Sequence, residues 1–188
     1  MHRTLPRHGL SAALYLVAAL CLAMGCAQTT QGTSLSDLPP YTPDAARLFD
    51  DAFSAGVFEM PERSDPDSRR RFAARVREAD VIGVAKIQTV SSEGGGEFLR
   101  YTLSCTWLSA VKGHPQGSVE LQVVPTNPSF AAIHGQDARL MGREIVLFIK
   151  LFNESGEGTF HFHAEAHSAS ITERIQRELA LIELAKSN

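Results

Sequence analysis

The chain has 188 residues, 44% of them hydrophobic, and a formal net charge of −3. That length and apolar share are enough for one domain with a real core. A mildly acidic chain lacks the basic footprint of a nucleic-acid binder, so nucleic acid is not an expected partner.

Residues 1–7, Met-His-Arg-Thr-Leu-Pro-Arg, are short and basic. An apolar run from Leu10 to Leu22 follows and ends in Ala23-Met24-Gly25-Cys26. A basic start, an apolar stretch of about a dozen residues and small residues at the cut form a secretory signal, too short to span a bilayer as a helix. The ending is similar to the lipobox of bacterial lipoproteins, with Ala23 where that family prefers Leu. The resemblance implies that the Cys26 thiol is diacylated, that the chain is cut before it, and that the new amino terminus is acylated as well. Residues 1–25 would then be the signal peptide. The expected location is the bacterial cell envelope, with the lipid bilayer as a partner through acylated Cys26. Ala27, rather than Asp, follows the Cys, which in a two-membrane host implies the outer membrane, facing the periplasm. An ordinary signal peptide cut near Ala23 or Ala27 is the alternative and would leave a soluble periplasmic protein.

Removing residues 1–25 takes away Arg3 and Arg7 and no acid, so the formal charge moves to −5. Acyl chains, not surface charge, would have to do the anchoring. Cys21 leaves with the signal and Cys26 carries lipid, so Cys105 has no partner for a disulfide. The domain has to hold together by burial.

Residues 26–40 read as the lipidated Cys and a polar, Pro-terminated tether, and residues 41–188 as a single globular domain. A helix is expected from Thr42 to Gly56, with Pro43 at its first position and Leu48, Phe49, Ala52 and Phe53 inside. Residues 62–67 read as a loop. A second helix follows Asp65-Pro66 and runs to Ala79, with Phe72, Ala73, Val76 and Ala79 as its apolar stripe. Its arginines, including Arg75, read as mostly solvated and balanced by Asp65, Asp67 and Glu78.

Val81 to Val90 is β-branched and ends in a Gly-rich hairpin loop. In the next strand Leu99, Tyr101, Leu103, Cys105 and Trp107 share one face. Cys105 there reads as a small buried hydrophobe, not a nucleophile. Val119, Leu121 and Val123 mark a third strand. A long connection over residues 126–143 holds a short helix near Phe130 to Ile133. Ile145 to Phe152 is apolar on both parities apart from Lys150, as a central strand requires. Thr159 to His167 is a fifth strand. A final helix is expected with Ser170 and Glu173 as a capping box and Ile171, Ile175, Leu179 and Ile182 on its apolar side. The fold class is therefore α+β: five mostly antiparallel strands with two N-terminal helices and a C-terminal helix. The sheet is either closed as a small barrel or open with helices on one face.

Four stretches carry a second resemblance: Ala79-Asp-Val-Ile-Gly-Val-Ala-Lys-Ile87, Tyr101-Thr-Leu through Leu108 to Val111-Lys-Gly113, Val119-Glu-Leu-Gln-Val123 and Gly142-Arg-Glu-Ile-Val-Leu-Phe148. They resemble the strand pattern of netrin-like domains over residues 79–167, which implies an oligonucleotide/oligosaccharide-binding-type barrel. The metalloproteinase-inhibitor branch of that group depends on an N-terminal Cys-x-Cys and disulfides. This chain has neither, so only the barrel is implied.

The chemistry-bearing candidate is His161-Phe-His163-Ala-Glu165-Ala-His167. On a strand the three imidazoles and the carboxylate share one face, a donor set that suits zinc. Four such positions span roughly 20 Å, so one ion could be held by His161 and His163 or by Glu165 and His167, not by all four. The rival reading is a solvated polar strand face. His114 and His134 read as surface residues. Gly94-Gly-Gly96 lacks the helix and Lys of a phosphate cradle. No Gly-x-Ser-x-Gly is present, and the acids from Asp50 to Asp67 show no acid–base pair. The leading expectation is a non-enzymatic binding or structural module with another envelope protein as partner and no cofactor. The alternative is a metal-binding or metal-dependent hydrolytic domain that uses zinc on the His161 strand.

Overall fold

A computed structural model describes residues 34–60, 66–115 and 117–187. The signal segment, Cys26, residues 27–33 and most of the 62–67 loop lie outside the described residues.

Two long runs of alternating side chains form the centre. Strand β2 (Val81–Glu93) and strand β3 (Arg100–Lys112) pair antiparallel, and β3 pairs with β4 (Ser118–Val123). On the other side of β2 lies β5 (Glu144–Glu154), followed by β6 (Glu157–Ala166). These are the five strands expected from sequence. A sixth, β1 (Ala52–Phe53), pairs parallel with His163 and Ala164 of β6. The order is β1-β6-β5-β2-β3-β4, an open sheet curled into a half-barrel, so the expected count of five is corrected to six. The barrel does not close: β4 ends one edge, and β6 carries only the two-residue β1 on the other.

The first expected helix is also corrected. Helix α1 is a single turn, Pro43–Ala46, capped by the Thr42 hydroxyl. Asp50 and Asp51 bond across to β6 instead of continuing the helix, and Asp side chains compete with helical backbone in this way. Asp51 takes φ +50 and turns the chain into β1. Its N–H donates to the Phe162 carbonyl at 2.9 Å.

Helix α2 (Pro66–Glu78) buries Phe72 and Val76 as expected, and Arg75 as well. Lys112, at the end of β3, donates Nζ to the Val76 and Arg77 carbonyls at 3.1 and 2.8 Å, which satisfies the last turn of α2. Two short helices, α3 (Phe130–Ile133) and α4 (Asp137–Leu140), lie in the β4–β5 connection. Helix α5 (Ala169–Lys186) starts two residues earlier than its expected capping box. Ser168, not Ser170, accepts the Ile171 N–H. No helix among the described residues is long and apolar enough to cross a membrane.

One face of the sheet holds Leu103, Cys105, Leu121, Leu147 and Phe162. The other face, under α2 and α5, holds Phe49, Phe72, Val146, Phe148 and Ile175. β5 feeds both clusters, which is why its sequence is apolar on both parities. Cys105 is fully buried, and burial pushes its thiol up to about 12. In a chain with Cys21 and Cys26 replaced by Ser, Cys105 should react with a bulky thiol reagent only after denaturation. Cys105→Ser should cost about 1–3 kcal/mol, since it places a hydroxyl in an apolar site. Rapid labelling of the native chain would contradict that placement.

Candidate functional site

The β6 face singled out from sequence lies under the α1–β1 connection and α2. His161, His163 and Glu165 are brought together on it. His163 and Glu165 are 7% and 8% exposed and His161 is half-buried, so the solvated-face reading is corrected for these three; His167 is exposed. The neighbours of the three explain how burial is tolerated. His161 Nδ1 lies 2.6 Å from Asp51 Oδ2, and His163 Nδ1 lies 2.7 Å from Asp50 Oδ1. His163 Nε2 is 3.4 Å from Glu165 Oε1, and Arg75 Nη1 is 3.5 Å from the same oxygen. Arg75 Nε donates to the Leu48 carbonyl at 2.7 Å. The Tyr41 ring stacks on His161, with centroids 3.6 Å apart and planes within 1°. Buried charge is held here by pairing and hydrogen bonding.

His167 is separate. It follows the end of β6 and pairs with Glu144 of β5 at 3.0 Å. Each imidazole therefore has its own carboxylate. Among the described residues, no group of three or more His, Cys, Asp or Glu is placed to hold a metal ion. Among the described residues, His161 Nε2 is buried without a hydrogen-bond partner. Glu154 Oε2 lies 3.4 Å from it, close enough for charge attraction but not aligned for a bond. His114 is exposed, and the His134 ring meets the Tyr101 hydroxyl at 2.9 Å.

Two groups in this row are displaced from their ordinary values. Burial pulls the His161 pKa down, but Asp51 and Glu154 outweigh it, and the net shift is upward. Burial pushes Glu165 up, while His163, Ser54 and Arg75 pull it down by more. Burial also lowers the Arg75 pKa, against the pull of Asp50 and Glu165. Burial first, then Asp51, Asp50 and Glu154, push Tyr41 up to about 12, so it stays a hydroxyl and donates to the Phe49 carbonyl at 2.6 Å.

These shifts set a pH dependence with two sides. A raised His pKa gives stability that is complete below the unfolded value, 6.5, and fades as pH rises through the folded value. A lowered Glu pKa gives stability that is complete above its unfolded value, 4.5, and fades as pH falls through the folded value. The melting temperature should therefore peak between these two values. The fall on the alkaline side should flatten in His161→Asn. Thermal melts from acid to alkaline pH check this; an unchanged alkaline limb in the variant would contradict it.

Sequence reasoning missed Asp50, Asp51, Arg75 and Tyr41. Arg75 was detectable. It lies three residues after Phe72 and four before Ala79, on the same helical stripe as Val76.

Beside this network, where the half-barrel fails to close, lies a cleft of about 470 Å³. Glu120 and Gln122 of β4 and residues 158–162 of β6 line it, together with Val124, Asn127 and Asp51. Five consecutive β6 residues line it, so it is the backbone edge of the strand, not one of its faces, that meets the cleft. A smaller groove of about 320 Å³ runs past Pro39, Pro40, Leu48 and Phe152. Compared with known proteins, the chain matches no family model, no curated protein and no solved structure.

Proposed function

We propose that this protein is a lipid-anchored lipoprotein of the bacterial cell envelope, placed at the outer membrane facing the periplasm, whose domain works as a non-enzymatic binding module. The observation that carries the anchoring is the N-terminal sequence, a basic start and an apolar run ending in Ala23-Met24-Gly25-Cys26. Two or three acyl chains on one Cys are enough for stable membrane attachment, which a single chain is not.

The binding-module part is supported by how the polar groups are used. His161 and His163 spend Nδ1 on Asp51 and Asp50, and those pairs fix β1 to the sheet. The Cys105 thiol is buried and its pKa is raised. The polar row thus acts as internal support for a sheet whose seam, among the described residues, stands open to a partner. Another protein of the envelope is the kind of partner this reading calls for.

Replacing Cys26 by Ser tests the anchor, because serine cannot form the thioether. The wild-type chain should fractionate with membranes in a mature form. Cys26→Ser should accumulate as an uncleaved or soluble species. A variant that still matures to the wild-type mass and still fractionates with membranes would overturn the proposal.

A further inference from the structure

In an antiparallel ladder the N–H and C=O of one residue point to the same side, and that side alternates along the strand. Phe162 turns both groups away from β5: its carbonyl accepts the Asp51 N–H at 2.9 Å, and its N–H donates to Asp51 Oδ1 at 3.1 Å. The Ala164 carbonyl does the same with the Ser54 N–H at 2.8 Å. Alternation then aims the backbone groups of Phe160 and Gly158 away from β5 as well. Residues 51–54 cover the upper part of this edge. Below Phe162 the chain that formed β1 has gone, since Phe49 is drawn into the cluster under α2. At that point the edge of β6 opens onto the 470 Å³ cleft.

Volumes of about 300–1,000 Å³ are those of pockets that enclose a ligand, and adding a strand to an open edge is a recurring way to bind peptide. The cleft also has a sign. Among the described residues its walls carry no Lys or Arg; Asp51 and His161 offset each other as a pair, which leaves the exposed carboxylate of Glu120 as the uncompensated charge. A strand laid along β6 would alternate its side chains. One set would meet Phe160 and Val124, and the other would meet Glu120. The complementary sequence places a basic residue opposite Glu120, between apolar ones.

We propose that the seam between β4 and β6 binds an extended peptide segment of a partner protein, with a Lys or Arg facing Glu120 and apolar residues beside it, as an added strand on the Gly158–Phe160 edge. The proposal deepens the binding-module reading and rests on that part of it, not on the lipid anchor.

The test uses the full chain in mild detergent and two blocked, fluorescent pentapeptides, Val-Lys-Val-Lys-Val and Val-Glu-Val-Glu-Val. The lysine peptide should bind saturably, with at least about a tenfold preference over the glutamate peptide at low salt. It should slow hydrogen exchange at the Gly158 and Phe160 amides. Glu120→Lys, an exposed substitution, should remove that preference without unfolding the domain. Absence of saturable binding by the lysine peptide would overturn the proposal. So would equal binding of both peptides, or protection confined to other amides. Membrane fractionation of the same chain reads the anchor separately, so failure of one does not imitate failure of the other.

Discussion

Arg75→Met should destabilise the domain by about 3–5 kcal/mol, the usual cost of removing one partner from a buried ion pair. The side chains of Arg75 and Glu165 are 8% and 10% exposed, and their closest atoms are 3.5 Å apart. Met fills a similar volume, so packing changes little. The loss is electrostatic: the Glu165 carboxylate keeps only His163 and the Ser54 hydroxyl nearby, and the Leu48 carbonyl loses its donor. Adding Glu165→Gln should recover part of the loss, because the buried charge is then gone. Denaturant unfolding of the wild type, the single variant and the double variant measures both effects. A loss below about 1 kcal/mol in Arg75→Met, the range of surface ion pairs, would show that Arg75 is not held as described.

Phe148→Ala should cost a similar amount, about 3–5 kcal/mol, for a different reason. Phe148 is fully buried on β5, and its ring meets that of Phe72 on α2 edge to face, with centroids 5.7 Å apart. Truncation opens a cavity between sheet and helix that neither rigid element can collapse into. The m-value should stay near that of the wild type, since the unfolded chain exposes almost the same surface. A cost near that of an exposed substitution would contradict the packing of α2 on the sheet.

The strands and the final helix were legible because their patterns are local. Alternation between Leu99 and Trp107 sets the face of Cys105, and doubled apolarity from Ile145 to Phe152 sets the central position of β5. The α1 region was not legible, because the residues that decide it are far apart. From Ala45 to Phe53 the apolar spacing is helical. What ends the helix after one turn is the pairing of Asp50 and Asp51 with His163 and His161, more than a hundred residues downstream. The same pairing hid the character of the His strand. Three His and a Glu on alternate positions read as a solvated or metal-holding face, and only the α1–β1 connection and α2 lying over it turn the part from His161 to Glu165 into a largely buried salt network. Arg75 was misread because charge was weighed above its helical position. The seam cleft depends on which edges of the sheet remain unpaired, a property of topology that no single strand encodes.

The central claim is that the chain is anchored through Cys26 and presents one folded domain on that anchor. The most direct measurement is the intact mass of the protein extracted from membranes, with the N-terminal peptide sequenced by fragmentation. A chain that begins at Cys26 and carries a diacylglyceryl thioether plus an N-terminal acyl group is the predicted result. An unmodified chain that begins near residue 24 or 27, recovered from the soluble fraction, would contradict the account.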